Sequence, residues 1–358
     1  MRSDGWGAED LRAAIRSLPK AELHLHVEGS IRPSTAVELA ARHGVALTEE
    51  EARRRYRYSD FDGFLSAFAW VVSSLREPGD YALITRRLAE ELLSHGAVYA
   101  EVIVAVGVMR WQRQDAEANF AAMAEAAREY EPRGLTIRWL PDAAWQFGAD
   151  AALEVARRVV RWTGLGVVGF GMGGDELMFD YREFRPAFDL AAEHGLRRTA
   201  HAGEVGPPSK IRDAVELLGA ERIGHGIAAI HDPAIADLLA ERGIPLEVCP
   251  TSNVCTGALA RQLGHGDATL ADHPLPRLLA AGIPATLSTD DPAMFHTDLV
   301  SEYAACLTPL GLPPAAILRL LEASFEHAFL PPAAKRAYVE RLRAAWAASS
   351  KWVATKKP

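Results

Sequence analysis

Eight times along the chain a short run of strand-forming residues is followed by a longer alanine- and leucine-rich amphipathic stretch. The runs are AELHLHV (21–27), AVYAEVIVAV (97–106), LTIRWLP (135–141), GVVGFGM (166–172), LRRTAHA (196–202), RIGHGI (222–227), PLEVCP (245–250) and IPATLST (283–289). Helical patterns lie between them, among them DYALITRRLAEELLSHG (80–96), DAEANFAAMAEAAREY (115–130) and IADLLAERG (235–243). Strands alternating with helices imply βαβ units on a parallel sheet. Eight such units favour an α/β fold closed as a single (β/α)8 TIM barrel over an open doubly wound sheet. Several runs follow HG, RG or AG, where glycine suits the end of the preceding helix. The long first gap, about 30–80, predicts extra helices capping the C-terminal mouth of the barrel. No low-complexity linker or composition break divides the chain. One domain is therefore expected over 1–358, with its core at about 20–345, an N-terminal helix in 1–19 and a mobile basic tail over 346–358.

Of the 358 residues, 47 are Asp or Glu and 39 Lys or Arg, mixed along the chain to a net charge of −8. That balance argues against nucleic acid or an anionic membrane as the main partner and points to a small-molecule ligand. Three cysteines, Cys249, Cys255 and Cys306, suit a reducing compartment better than a disulfide scaffold. The first 20 residues are charged throughout and hold no signal-like apolar core, and no later run is long enough to span a bilayer. A soluble, cytoplasmic protein is expected; the sequence leaves its oligomeric state open.

Barrel enzymes place their chemistry at the C-terminal ends of the strands. In the first run His24, His26 and Glu28 fall on one side, because strand side chains alternate with period two. The fifth run ends in HAGE, with His201 and then Glu204; the sixth ends in GHG, with His225; the eighth ends in STDDP, with Asp290 and Asp291. Each residue alone reads as an ordinary core or helix-end group. Together they converge on one face. Three imidazoles and a carboxylate suit one Zn2+, or a similar divalent cation, in a site that keeps a position open for water. His24, His26, His201 and Asp290 are the expected ligands, leaving Glu204 and His225 to handle protons. Zinc lowers the pKa of water from about 15.7 to about 7, and a neighbouring acid can protonate the substrate atom that gathers charge. Other metal signatures are missing: there is no H-E-x-x-H, and Cys249 and Cys255 lack the spacing of a usual zinc pair. The fourth run ends in GFGMGGDE, without the lysine that bridges two metals in binuclear barrels. One metal is expected.

The ordered motifs HLHVEGS, GGDE, HAGE, RIGHGI, EVCPTSN and LSTDDP resemble the adenosine deaminase family of the amidohydrolase barrels over nearly the whole chain. The resemblance implies hydrolysis at C6 of a 6-aminopurine, with release of ammonia. It assigns His24, His26, His201 and Asp290 to zinc, Glu204 to protonation of purine N1, and His225 to orienting the attacking hydroxide. It also assigns Asp291 to N7, the Gly174 backbone N–H to N3, and Glu28 to the 5′ side of the sugar. Three departures bear on substrate. Glu28 stands where many adenosine deaminases carry aspartate, and Ile103 where an arginine is usual. The segment 64–84, with YAEVIVAVGVMRWQRQD, is similar to aminodeoxyfutalosine deaminases, whose substrate extends the 5′ side with a carboxybenzoyl group. Phe64, Phe68 and Trp70 are candidates for an apolar wall, and Arg76 or Lys210 for a carboxylate partner; the 64, 68 spacing also suits plain helix packing. The reading is zinc-dependent deamination of 6-aminodeoxyfutalosine to futalosine in menaquinone biosynthesis. Adenosine deamination in purine salvage is the alternative, then adenine deamination; a non-catalytic nucleoside-binding barrel is the reading from another class.

Overall fold

The computed structural model describes residues 8–58 and 61–349. All eight expected strands form: β1 (Lys20–His26), β2 (Ala97–Val104), β3 (Thr136–Pro141), β4 (Gly169–Phe170), β5 (Arg197–Ala202), β6 (Arg222–His225), β7 (Leu246–Val248) and β8 (Ala285–Leu287). Neighbours pair in parallel in chain order, β1 to β3 and β4 to β8. Single bridges Trp139–Val167 and Asp142–Gly171 join β3 to β4, and Leu25–Asp290 joins the end of β1 to the segment after β8. The sheet thus closes into a (β/α)8 barrel.

Several strands are shorter than the sequence expectation, β7 and β8 spanning three residues each. β4 shrinks to two residues because its glycine-rich GFGMGG run lacks the side chains that hold a ladder, so bridges at Val167 and Gly171 complete the seam. β2 stops at Val104, and a helix, Val106–Trp111, begins two residues later.

Outside the strands the helices bury alanine, leucine and aromatic faces. Trp139 of β3 meets Phe120 edge-on, and Phe120 stacks on Trp162 with ring centroids 4.6 Å apart. Inside, Arg222 at the start of β6 is buried between two carboxylates. Its Nη1 lies 2.6 Å from Glu101 Oε2 and its Nε 2.6 Å from Glu247 Oε1, beneath the Phe329 ring. A buried charge of this kind is tolerated only when paired, and the pairing fixes Glu247 for a second task described below.

The first gap holds helices Pro33–Arg42, Glu49–Arg55 and Phe61–Val72 before the long helix Pro78–Ser94. Thr48 and Glu51 form a reciprocal capping box on the second of these. Helix Phe61–Val72 packs on the turn Glu28–Ser30, and its Phe64 faces Phe295 at 5.2 Å. It lies over the barrel mouth. At the N-terminus, helix Ala8–Arg16 is tied down by Arg12, which bonds Asp298 and Ser301. The final helix runs Pro332–Ala348, so 346–348 of the expected tail are helical, and 350–358 lie outside the described residues. Among the described residues no helix is long and apolar enough to cross a membrane.

Candidate active site

The backbone itself presses β1 against the segment following β8. His26 N–H donates to Asp290 O at 2.8 Å, and Asp290 N–H donates to His24 O at 3.1 Å. Asp290 and His225 both sit in the left-handed region, with φ of 65° and 58°. Residues with a Cβ rarely adopt that conformation, and it persists where surrounding contacts over-determine it. Here it turns both side chains into the mouth.

Side chains then converge. His24 Nε2 lies 3.0 Å from His201 Nε2 and 3.4 Å from Asp290 Oδ1, and His26 Nε2 lies 3.3 Å from the same oxygen. His225 Nε2 is 3.8 Å from Asp290 Oδ2 and 3.7 Å from Glu204 Oε2. Among the described residues, two groups have ligand atoms all within 4.8 Å of one another: His24, His201, His225 and Asp290, and His26, Asp290 and Asp291. By distance His225 groups with His24, His201 and Asp290, whereas His26 reaches the cluster through Asp290 and Asp291.

The arrangement calls for a cation. His201 Nδ1 faces the Met172 carbonyl at 3.0 Å, which only accepts, so that nitrogen carries the proton. His24 Nδ1 faces Glu247 Oε2 at 2.7 Å in the same sense. The two Nε2 atoms consequently face one another across 3.0 Å, a contact that needs either a proton on one of them or a cation beside both. The titration behaviour of the bare side chains agrees. Burial alone would lower His24, yet its bonds to Asp290 and Glu247 carry it up to about 10. Burial would likewise lower His26, but Asp291 and Asp290 hold it at about 9. His201 is driven well below the usual histidine value by burial and by its imidazole neighbours. Asp290 stays ionised despite burial, because His225, His24 and His26 surround it. Ser252 Oγ donates to its Oδ2 at 2.7 Å. These residues fit a divalent metal of the zinc type.

Glu204 lies at the edge of the cluster, beside His225. Burial raises its carboxyl well above the normal range, reinforced by Asp290 and Glu176, which favours its protonated form. Its loop is clamped from two sides. Glu176 accepts the N–H groups of Gly203, Val205 and Gly206 at 2.6 Å each, and Gln262 donates to the Glu204 and Gly206 carbonyls. Asp291 is also raised well above its normal value, by burial and by Asp290 beside it, and its Oδ1 has no hydrogen-bond partner.

These groups open on a cavity of about 100 Å3 whose lining includes His26, His201, Glu204, His225, Asp290, Asp291, Gly173 and Gly174. Phe64, Leu65 and Phe68 roof it. Gly174 has φ +90°, and a Cβ there would sit 2.3 Å from Gln146 Oε1.

Four expected binding residues are absent from the cavity lining. Glu28 does not continue the alternation of β1, since the chain leaves the strand after His26 and enters a 3-10 turn, Glu28–Ser30. Its carboxylate accepts the N–H of cavity-lining Ala105 at 3.0 Å, and its other oxygen is unpartnered. Trp70 packs edge-on to Tyr56 with the Arg55 guanidinium over its ring. Arg76 is exposed beyond the end of the mouth helix. Neither lines the cavity, nor does Lys210, which donates to the Phe179 carbonyl and sits over Tyr181.

The site also uses residues that the strand-end argument passed over: Glu247, Glu176, Ser252, Asn253 and the cavity-lining Asp142, Gln146 and Thr256. Glu247 had a signal, a lone acid between Leu246 and Val248 in a short buried strand.

Known proteins share this chain's sequence pattern and fold. The sequence profile of the adenosine deaminase family matches residues 19–345. An aminodeoxyfutalosine deaminase from Streptomyces avermitilis is 38% identical over 354 residues, 96% of this chain and 97% of that protein. The solved adenine deaminase of Arthrobacter aurescens superimposes with a TM-score of 0.86 at 30% identity, covering 92% of this chain and 100% of that one. A zinc-bound amidohydrolase from Burkhoderia ambifaria gives a TM-score of 0.85 at 27% identity, over 99% and 96% of the two chains. This chain belongs to the adenosine deaminase family, as a metal-dependent deaminase of adenine-type substrates on an amidohydrolase barrel.

Proposed function

We propose that this enzyme uses one zinc ion to deaminate a 6-aminopurine nucleoside at C6, releasing ammonia, and that its preferred substrate is 6-aminodeoxyfutalosine, converted to futalosine. The observation that carries the chemistry is Glu204, a buried carboxyl 3.7 Å from His225 at the edge of the His–Asp cluster, whose burial favours its protonated form. His24, His26, His201 and Asp290 would hold the metal. Bound there, zinc supplies Lewis acidity and lowers the cost of deprotonating water at neutral pH. Attack on an aromatic ring sacrifices resonance, and Glu204 offsets part of that loss by giving its proton to N1, which makes C6 electrophilic. Asp291, which burial and the neighbouring Asp290 push toward its protonated form, would offer a hydrogen bond to N7, and the Gly174 N–H would meet N3. Phe64, Leu65 and Phe68 exclude bulk water over the ring. The three unpaired cysteines and the mixed charge suit a cytoplasmic enzyme.

For the substrate, the 38% identity to an aminodeoxyfutalosine deaminase along nearly the full length is the main support. Free adenine is the second reading, favoured by the adenine deaminase neighbour and by the small cavity. Pockets for larger ligands usually span about 300–1,000 Å3, so a nucleoside requires helix Phe61–Val72 to withdraw from the mouth. Ammonia release by the zinc-loaded protein with 6-aminodeoxyfutalosine, adenosine and adenine decides between them. A kcat/KM at least about 10²-fold higher for the first is expected. A preference for adenosine would overturn the extended 5′ group, and a preference for adenine would overturn the nucleoside.

The role of Asp291 has its own test at Gly29. A Cβ at residue 29 would lie 1.7 Å from Asp291 Oδ1, so Gly29→Ala must displace that carboxyl. Misplacing a binding group by about 1 Å can cost about 10²-fold. A loss of that order in kcat/KM is expected, with the thermal transition retained; unchanged kcat/KM would remove Asp291 from the purine contact.

A further inference from the structure

Behind His225 runs a line of buried hydrogen bonds that comes from the connection between β7 and β8. The Leu275 backbone N–H donates to His273 Nδ1 at 3.1 Å. His273 Nε2 faces Asn253 Oδ1 at 3.2 Å, and Asn253 Nδ2 faces His225 Nδ1 at 3.0 Å. Asn253 and His225 are buried to within 1% of full burial, and His273 to within 3%.

A backbone N–H can only donate, so the first bond has a fixed direction. His273 Nδ1 therefore keeps its lone pair, and the ring's proton must sit on Nε2. That N–H needs an acceptor, which fixes the Asn253 amide with its oxygen toward His273 and its NH2 toward His225. The opposite rotamer would set N–H against N–H at one end. At the other end, His225 Nδ1 must accept, so His225 carries its proton on Nε2. That nitrogen points into the site, toward Glu204 Oε2 and Asp290 Oδ2.

We infer that His273 and Asn253 are positioning residues that lock His225 as its Nε2–H tautomer. The lock weighs against the grouping by distance, which alone favours His225. A protonated Nε2 has no lone pair for a metal, so His225 stands beside the metal cluster and His26 serves as its third imidazole. It also limits what His225 does in the proposed deamination, on which this consequence rests. Its Nε2–H can orient the attacking oxygen by donating a hydrogen bond, but cannot remove a proton from it.

Long-range 1H–15N correlation spectra of the zinc-loaded, 15N-histidine-labelled protein read the tautomers directly, whether or not any substrate turns over. His225 and His273 are both expected as Nε2–H; an Nδ1–H signal for either would overturn the lock. Asn253→Asp supplies the functional arm, since a carboxylate accepts at both oxygens and demands Nδ1–H from His225. The expected result is an Nδ1–H signal at His225 and a kcat lower by about 10–100-fold, the usual range for groups that orient a site. KM and zinc content should stay near native. At the far end, His273→Gln returns an amide N–H to Asn253 and should retain most of kcat, whereas His273→Leu should lose it. Unchanged kcat in Asn253→Asp, or equal losses in both His273 variants, would contradict the positioning role. If no purine is deaminated at all, the proposed function fails while the tautomer measurement still stands or falls alone.

Discussion

Glu204→Gln is expected to lower kcat by about 10²–10⁴-fold, the range that general acid catalysis contributes, while purine binding persists. Glutamine keeps the shape and a donor N–H but cannot surrender a proton to N1. The carboxyl is raised by burial first, then by the negative charges of Asp290 and Glu176. Its reactive form is the protonated one. Activity that depends on it is therefore present below its raised pKa and lost as pH rises through that value. The native enzyme should show this alkaline limb in kcat/KM, and the residual activity of Glu204→Gln should lack it. An alkaline limb that survives in the variant would mean another group carries the proton.

The second large effect concerns the metal. Removing His201 or Asp290 takes away a donor from the centre of the cluster, where His24 Nε2 lies within 3.4 Å of both. His201→Ala and Asp290→Ala are each expected to lose zinc and activity together. The loss of rate should reach at least about 10³-fold, since a Lewis-acid metal supplies several kcal/mol of transition-state stabilisation. His26→Ala and His225→Ala separate the two candidate third imidazoles: the first should lose metal, the second should keep it. Metal analysis of the purified variants, beside thermal melts, reads this directly. Zinc loss in His225→Ala with retention in His26→Ala would reverse the assignment.

Much of this site could be read from the sequence because barrel topology converts chain order into spatial order. HLH, HAGE, GHG and STDDP each end a strand, and strand ends on one barrel share one face, so His24, His26, His201, Glu204, His225, Asp290 and Asp291 meet as expected. Where the local pattern changes, the reading fails. Glu28 was placed by extending the alternation of β1, but the strand ends at His26 and the turn swings the carboxylate to Ala105. Trp70 was grouped with Phe64 and Phe68 by proximity in sequence. On a helix, residues four apart share a face, whereas position 70 is rotated about 200° from 68. That rotation takes its ring to Tyr56 and Arg55 instead of the cavity.

Glu247 and Asn253 act on residues more than 25 positions away, His24 and His225. No periodicity in a single sequence records such pairs. Their roles emerge only when β7 is laid beside β6 and β8. The same holds for Arg222, whose pairing with Glu247 links the barrel interior to the first histidine of the site.

The central claim is that one metal, held by His24, His26, His201 and Asp290, and one acid, Glu204, deaminate a 6-aminopurine. It is tested most directly by stripping the protein with a chelator and titrating zinc back while ammonia release from 6-aminodeoxyfutalosine is followed. Activity that rises linearly and saturates at one zinc per chain is the result this account predicts. A chain that binds zinc and purine fully yet releases no ammonia, or one that needs a second equivalent before it turns over, would contradict it.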